Sequence, residues 1–333
     1  MATLSARIGA AVGAILFAVF LTFATPASAQ QPTSVNPTAS SVQEDKLLQE
    51  LRRLQGRITI PDQRASVLIQ PAGQDWRQFH QVTLHWIGGV AILGMLLLLV
   101  VFYAVRGMIK ISRGRSGRTI TRFSGLERFM HWMTAGTFVV LAISGLNITF
   151  GKNLLLPLIG PEAFTAFSQW GKYAHNYLSF AFTIGLVFIF FMWIKDNIPS
   201  AADMQWLREG GGIVGNRHPP ARRFNAGQKI VYWVVVIGGV ALAISGYLLM
   251  FPFYGTTISG MQTAQVVHGI FGVLLIAAML AHIYIGTIGM EGAFEAMSTG
   301  DVDLNWAEEH HKLWVDEERK GMPAGGRPAT ARG

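Results

Sequence analysis

Five apolar runs, at approximately 83–103, 129–150, 174–194, 230–251 and 266–290, dominate the sequence. Each is close to the roughly 20 residues that a helix needs to cross a hydrocarbon core of about 30 Å. In lipid an isolated segment must satisfy its own backbone N–H and C=O groups, which a helix does and an open strand does not. The chain is therefore expected to be an all-α integral membrane protein. Its make-up agrees, with 51% hydrophobic and only 14% charged residues, against about a quarter charged in an average soluble domain.

The basic residues orient the runs. Arg106, Lys110, Arg113, Arg115, Arg118, Arg122 and Arg128 lie between the first and second; Lys195, Arg208, Arg217, Arg222, Arg223 and Lys229 lie between the third and fourth. The other two connections hold only Lys152 and Lys172, then none. By the positive-inside rule the basic loops face the cytoplasm, the mature N-terminus is periplasmic and the tail is cytoplasmic, in a bacterial inner membrane. The formal charge of +8 thus belongs to membrane loops and lipid headgroups, with no nucleic-acid partner implied. Residues 1–29 resemble a secretory signal, with Arg7, an apolar run and Ala27-Ser28-Ala29 before Gln30. An exported segment follows at 30–82: a Pro/Ser/Thr-rich linker to Ser41, leucines at helical spacing in 45–54, then irregular chain. The remaining divisions are an additional transmembrane helix at 83–103, a basic loop at 104–128, a four-helix core at 129–290 and a tail at 291–333.

Zero cysteines stand against nine histidines. That excludes disulfides, thiolate zinc, Cys-ligated iron–sulfur clusters and covalent c-type haem, so metal chemistry must run through histidine. Polar groups inside a membrane helix are disfavoured and mark function. Four histidines match in depth: His131 and His282 near the cytoplasmic ends of the second and fifth helices, His175 and His268 at the exported ends of the third and fifth. Each pair can hold a haem iron between two imidazoles. His268 and His282 are fourteen residues apart, roughly 21 Å along a helix and about 40° around it. One face thus carries a ligand for a site near each surface. Against this stands the ordinary role of a membrane histidine, an interhelical hydrogen bond. His80 and His85 read as interfacial, and His218, His310 and His311 as solvated or partner-facing. Glycines on all four core helices, Gly136, Gly145, Gly185, Gly238, Gly239, Gly246, Gly269, Gly272 and Gly286, are expected to leave room for a porphyrin.

An internal echo is also present. Leu141-Ala142-Ile143-Ser144-Gly145 recurs as Leu242-Ala243-Ile244-Ser245-Gly246, and each following helix begins with a histidine, His175 or His268. The core thus reads as a duplicated helix pair, with the first helix outside the repeat.

Leu126-Glu127-Arg128-Phe129-Met130-His131-Trp132, Phe224-Asn225-Ala226-Gly227-Gln228-Lys229, the His268/His282 pair and Trp306-Ala307-Glu308-Glu309-His310-His311 resemble the gamma subunit of membrane-bound formate dehydrogenase, a cytochrome b within the wider cytochrome b561-like di-haem group. The resemblance covers about 122–314 and implies a four-helix di-haem bundle. In it His175 and His268 hold an exported-side haem b, and His131 and His282 a cytoplasmic-side one. It further implies a catalytic subunit carrying molybdenum or tungsten with a pterin, an iron–sulfur subunit, and quinone reduced near the inner haem. The signal, the exported segment and the first helix depart from the compact four-helix pattern. By the resemblance Asn225 belongs to the quinone pocket, with Gln228 beside it. The same N-x-x-Q spacing at a helix start is a capping box. Arg122, Arg128, Arg223 and Lys229 are candidates for inner haem propionates and Lys172 for outer ones, against a plain role at lipid phosphates.

The expected role is an electron-transfer subunit that carries electrons from formate oxidised by a partner, without oxidising formate alone. The nearer alternative is the same anchor serving a hydrogenase or another quinone-linked oxidoreductase. The farther is a histidine-based metal transporter, which is expected to show broken helices with ionisable groups at mid-membrane.

Overall fold

In the computed structural model the described residues are 55–57, 67–69, 73–212, 218–252 and 254–321. The signal, the linker and the amphipathic stretch at 45–54 lie outside them. Among the described residues five helices are long and apolar enough to cross a membrane. They are α1 (Asp75–Arg106), α2 (Gly125–Leu154), α3 (Leu156–Trp193), α5 (Ala226–Met250) and α6 (Ile258–Gly289). A short helix α4 (Ala201–Arg208) lies between α3 and α5. After α6 come a single turn α7 (Glu295–Ser298), then α8 (Leu304–His310) and α9 (Lys312–Gly321). Short antiparallel strands pair as β1 (Gln55–Arg57) with β2 (Val67–Ile69), and β3 (Thr119–Thr121) with β4 (Asp301–Asp303).

The spanning helices expose their apolar side chains, Val90, Ile148, Phe191 and Ile244 among them, as a lipid-facing surface requires because lipid tails are as apolar as the core. Helix α2 packs on α3, α5 on α6, and α1 on α6. The third run is expected to become helical at 174, but the helix extends back to Pro161, where Gly160 at φ 78° breaks a preceding turn. Proline at the first helical position has no N–H to leave unsatisfied. This extension carries exposed Trp170 and Tyr173, aromatic residues of the kind that sit at a membrane interface.

The duplication seen in the sequence reaches the helix starts. Ser124 caps α2 in a capping box with Glu127, and Asn225 caps α5 in one with Gln228. The offset between the two caps is the one that carries Leu141 onto Leu242. Helix α1 stands outside this repeat and interlocks with α6: Leu84 is buried against Gly269, and a Cβ on Gly88 would press on Phe150 and Val273. His85 Nε2 hydrogen-bonds the Thr149 carbonyl at 2.6 Å.

The basic loops and the tail build a folded cap rather than loose connections. Strand β3, from the loop after α1, pairs with β4 from the tail. Ile111, Phe123, Trp193, Phe224, Val302, Trp306, Trp314 and Val315 make one buried cluster. Each large side chain removed from water there contributes about 1.5–3 kcal/mol. At its centre Arg122 is buried with its guanidinium near the rings of Phe123, Phe224, Trp306 and Trp314. It donates to the Arg223 carbonyl and to Gln228 Oε1. Burial, with help from the Arg223 charge, pushes Arg122 down to about 9, which leaves it charged at neutral pH.

The expectation of solvated tail histidines is corrected here. His310 and His311 are buried, and His311 Nδ1 bonds the Arg222 carbonyl at 2.7 Å. The physical reason is the aromatic cluster, whose members lie on segments far apart in sequence. Burial, then the neighbouring His218, holds His310 down at about 4, and burial holds His311 well below its ordinary value.

Candidate functional site

The four intramembrane histidines meet in the two expected pairs. His175 of α3 faces His268 of α6 with ring centroids 6.1 Å apart, and His131 of α2 faces His282 of α6 at 6.2 Å. Two imidazoles bound to one iron through nitrogens at about 2.0 Å place their centroids about 6.3 Å apart. A direct hydrogen bond between the rings has no such requirement, and neither pair makes one among the bonds between described residues. The donors therefore fit a bis-histidine iron at both ends of α6.

The outer pair, at the end of the bundle away from the cap, is held by the echoed motif. Ser144 Oγ donates to the Val140 carbonyl at 2.7 Å and lies 2.8 Å from His175 Nδ1. Ser245 Oγ donates to the Ala241 carbonyl at 2.7 Å and lies 3.0 Å from His268 Nδ1. With its one proton committed to a carbonyl, each hydroxyl accepts from the imidazole N–H. That fixes the proton on Nδ1 and leaves the Nε2 lone pair for a metal. The glycine after each serine makes room: a Cβ on Gly145 would lie 3.6 Å from His175 Cε1, and one on Gly246 3.2 Å from His268 Cε1. Sequence reasoning missed Ser144 and Ser245 as functional, although the repeat that contains them was the signal.

The inner pair, beside the cap, is built differently. His131 packs edge-on to Trp132 at 5.1 Å, and its Nδ1 is buried without a hydrogen-bond partner. A Cβ on Gly136 or Gly286 would meet nothing within 4 Å. Other glycines serve packing instead: a Cβ on Gly239 would press on Leu186, and one on Gly185 on Thr134.

The charged candidates separate by their partners. Arg223 pairs with Glu127 at 2.8 Å and Asp196 at 3.0 Å. Lys229 is buried and pairs with Asp203 at 2.8 Å, and Arg122 is enclosed in the aromatic cluster. Arg128 donates to the Ser298 carbonyl at 2.6 Å, while its Nε is buried and without a partner. It lies one turn before His131. Lys172 is exposed, three residues before His175.

Asn225 and Gln228 form the capping box that their spacing suggested. Asn225 Oδ1 accepts from the Gln228 N–H at 2.9 Å, and Gln228 Oε1 accepts from the Asn225 N–H at 3.1 Å. Beside them runs an apolar groove of about 660 Å³ between α5 and α6, walled by Trp233, Ile237, Phe271 and Leu274 and closed at the cap end by Lys229 and Asp203. Asn225 and Gln228 do not line it; their neighbours Ala226 and Lys229 do. Asp203 is pulled two ways. Burial pushes its carboxyl up, but the hydrogen bonds from Lys229 and Ser200 outweigh this and hold it below the usual range.

Residues 122–300 match the family model described as prokaryotic cytochrome b561. Over 206 residues, 61% of this chain, it is 31% identical to the formate dehydrogenase cytochrome b556(fdo) subunit of Escherichia coli K12, covering 94% of that protein. The nitrate-inducible formate dehydrogenase cytochrome b556(Fdn) subunit of the same organism is 27% identical over 61% of this chain and 93% of its own length. A formate dehydrogenase cytochrome b556 subunit of Haemophilus influenzae is 24% identical over 63% of this chain and 88% of its own.

Proposed function

The chain belongs to the prokaryotic cytochrome b561 family, and from that premise we propose that it is the di-haem membrane subunit of a quinone-linked formate dehydrogenase. The observation that carries this reading is the pair of imidazole separations, 6.1 and 6.2 Å, at the two ends of one helix. When bound, two b haems supply one-electron carriers near the two membrane surfaces. His175 and His268 hold the outer one, with Ser144 and Ser245 fixing their tautomers; His131 and His282 hold the inner one. Arg128, through its unpartnered Nε, is the residue best placed to take an inner propionate. Lys172 is positioned for an outer one. Arg122, Arg223 and Lys229 are committed to cap contacts and ion pairs that serve the fold.

Quinone enters the groove between α5 and α6, whose apolar walls suit its ring and tail. The amide NH₂ groups of Asn225 and Gln228 lie outside the groove lining, next to its residues Ala226 and Lys229, and donate to a quinone carbonyl that extends past that wall at the cap end, while their oxygens cap the helix. The Lys229–Asp203 pair at the groove's cap end places an ionisable group next to the position where quinone takes up protons.

The complex lies in the bacterial inner membrane, with the N-terminal side and the outer pair periplasmic and the cap cytoplasmic. A periplasmic catalytic subunit with molybdenum or tungsten oxidises formate, and an iron–sulfur subunit passes its electrons on. Each electron carried fully inward opposes a negative-inside potential, about 2.3 kcal/mol per 100 mV, so the reaction conserves energy as a proton gradient. The test is haem stoichiometry in the purified complex: two per chain in the wild type, and one each in His175→Ala and His131→Ala, with formate rather than hydrogen as reductant. A wild-type ratio near one, or no b-type bands after dithionite, overturns the reading.

A further inference from the structure

The cap brings together a second set of donors that electron transfer does not use. His218, in the segment before α5, and Glu309 and His310, at the end of α8, place three donor atoms within 4.8 Å of one another. His218 Nε2 stands 3.1 Å from Glu309 Oε1, and His310 Nε2 stands 4.0 Å from the same oxygen. The two imidazoles meet nearly perpendicular, with centroids 5.1 Å apart.

Two further observations mark this as a site rather than a chance meeting. His310 is 7% exposed, and its Nε2, turned toward the carboxylate, is buried without a hydrogen-bond partner. A buried imidazole nitrogen left unsatisfied is destabilising. The carboxylate is also held in place from outside the cluster: Ser112 donates its backbone N–H to Glu309 Oε2 at 2.9 Å and its hydroxyl to Oε1 at 3.0 Å. Those bonds leave one lone pair on Oε1, the oxygen that stands nearest both histidines. The Trp306 ring lies 5.2 Å from the Arg122 guanidinium carbon and 5.4 Å from the His310 ring.

We propose that His218, Glu309 and His310 bind a divalent transition-metal ion of the zinc type, which ties the segment before α5 to the tail. Two imidazoles and one carboxylate are a donor set suited to zinc and its neighbours, whereas calcium and magnesium take oxygen alone. Bonds of about 2.0–2.1 Å in a tetrahedron put neighbouring donors about 3.4 Å apart; the two histidine-to-carboxylate spacings, 3.1 and 4.0 Å, lie within an ångström of this, and all three donors lie within 4.8 Å of one another. The fourth position is left to water. The ion's role is to brace the cap, and the site is independent of the haem reading.

The experiment is zinc binding to the complex, purified without a polyhistidine tag, stripped with a chelator and titrated with Zn²⁺ alone. The haem spectrum is recorded throughout as a control on folding. The wild type is expected to bind one zinc per chain at micromolar or lower concentration. His218→Gln, a change in a partly exposed segment that leaves the cap core intact, is expected to weaken binding at least tenfold, and Glu309→Gln likewise. No saturable binding to the wild type, or equal binding to the wild type and both variants, overturns the proposal.

Discussion

Removal of the Ser144 hydroxyl isolates one bond in the outer site. Ser144→Ala leaves His175 Nδ1–H without the acceptor that now sits 2.8 Å away. The serine leaves α2 without a change in packing, because its own hydroxyl proton was bonded inside the helix to the Val140 carbonyl. A hydrogen bond between neutral groups contributes about 0.5–1.5 kcal/mol net. If this acts wholly on the difference between ferric and ferrous states, it corresponds to about 20–65 mV for one electron, at 59 mV per tenfold. The sign follows from ligand basicity. An acceptor on Nδ1–H makes Nε2 a better donor and favours ferric iron, so its loss raises the midpoint potential. The assay is redox potentiometry of the reduced α-band, in which the outer component is identified by its disappearance in His175→Ala. The outer midpoint is expected to rise by tens of millivolts while the inner one stays, and Ser144→Ala with Ser245→Ala is expected to give about the sum. Two unmoved midpoints, or equal movement of both, would refute the assignment of these serines.

Gly246→Val places branched methyls against a ring whose Cε1 is already 3.2 Å from the position of a Cβ; the haem-to-chain ratio is expected to fall from two to one. Asn225→Ala removes the α5 cap, at a cost of about 0.5–2 kcal/mol, and is expected to raise the KM for quinone in formate–quinone turnover. A stability loss with unchanged turnover and unchanged inhibitor sensitivity assigns the residue to capping alone. For Asp203, whose carboxyl is held below its ordinary value, the sign is that of a group favouring the folded state when ionised. Its contribution is fully present above the unfolded pKa of about 3.9 and is lost as pH falls through the lower folded value. In thermal unfolding the deficit of Asp203→Asn relative to wild type is therefore expected to be largest near neutral pH and to shrink below about pH 4. A deficit that stays constant into acid removes the Lys229 pair as its cause.

The spanning helices and the facing histidine pairs were legible because both rest on local rules. Apolar length marks a span, and a fourteen-residue spacing puts His268 and His282 on one face whatever surrounds them. The start of α3 was missed by hydropathy because Pro161, Glu162 and Lys172 dilute the apolar signal while doing nothing to stop a helix. The cap was not legible. Its strands are three residues long, and they join Thr119–Thr121 to Asp301–Asp303 across most of the described chain. Trp306 and Trp314, set among charged residues in the tail, give no periodic signal that they close over Arg122. His310 and His311 inherited that error. The serines were visible but misread: Ser144-Gly145 and Ser245-Gly246 registered as a repeat, and only the geometry shows that each hydroxyl hydrogen-bonds a histidine ring.

The duplicated helix pair leaves an imprint on the other half of the bundle. The offset that carries Ser124 onto Asn225 and Ser144 onto Ser245 carries His131-Trp132 onto Tyr232-Trp233, and the offset between His175 and His268 carries Ile189 onto His282. Tyr232 and Ile189 are thus the repeat-equivalent positions of His131 and His282, and both are buried in the same hydrophobic cluster. Tyr232 donates its hydroxyl to the Phe190 carbonyl at 2.9 Å. His175 and His268 occupy equivalent positions of the two repeats, whereas His131 and His282 do not. The positions that would complete a second pair of the inner kind hold an isoleucine and a tyrosine, so of the two such histidine pairs the repeat could encode the chain keeps one.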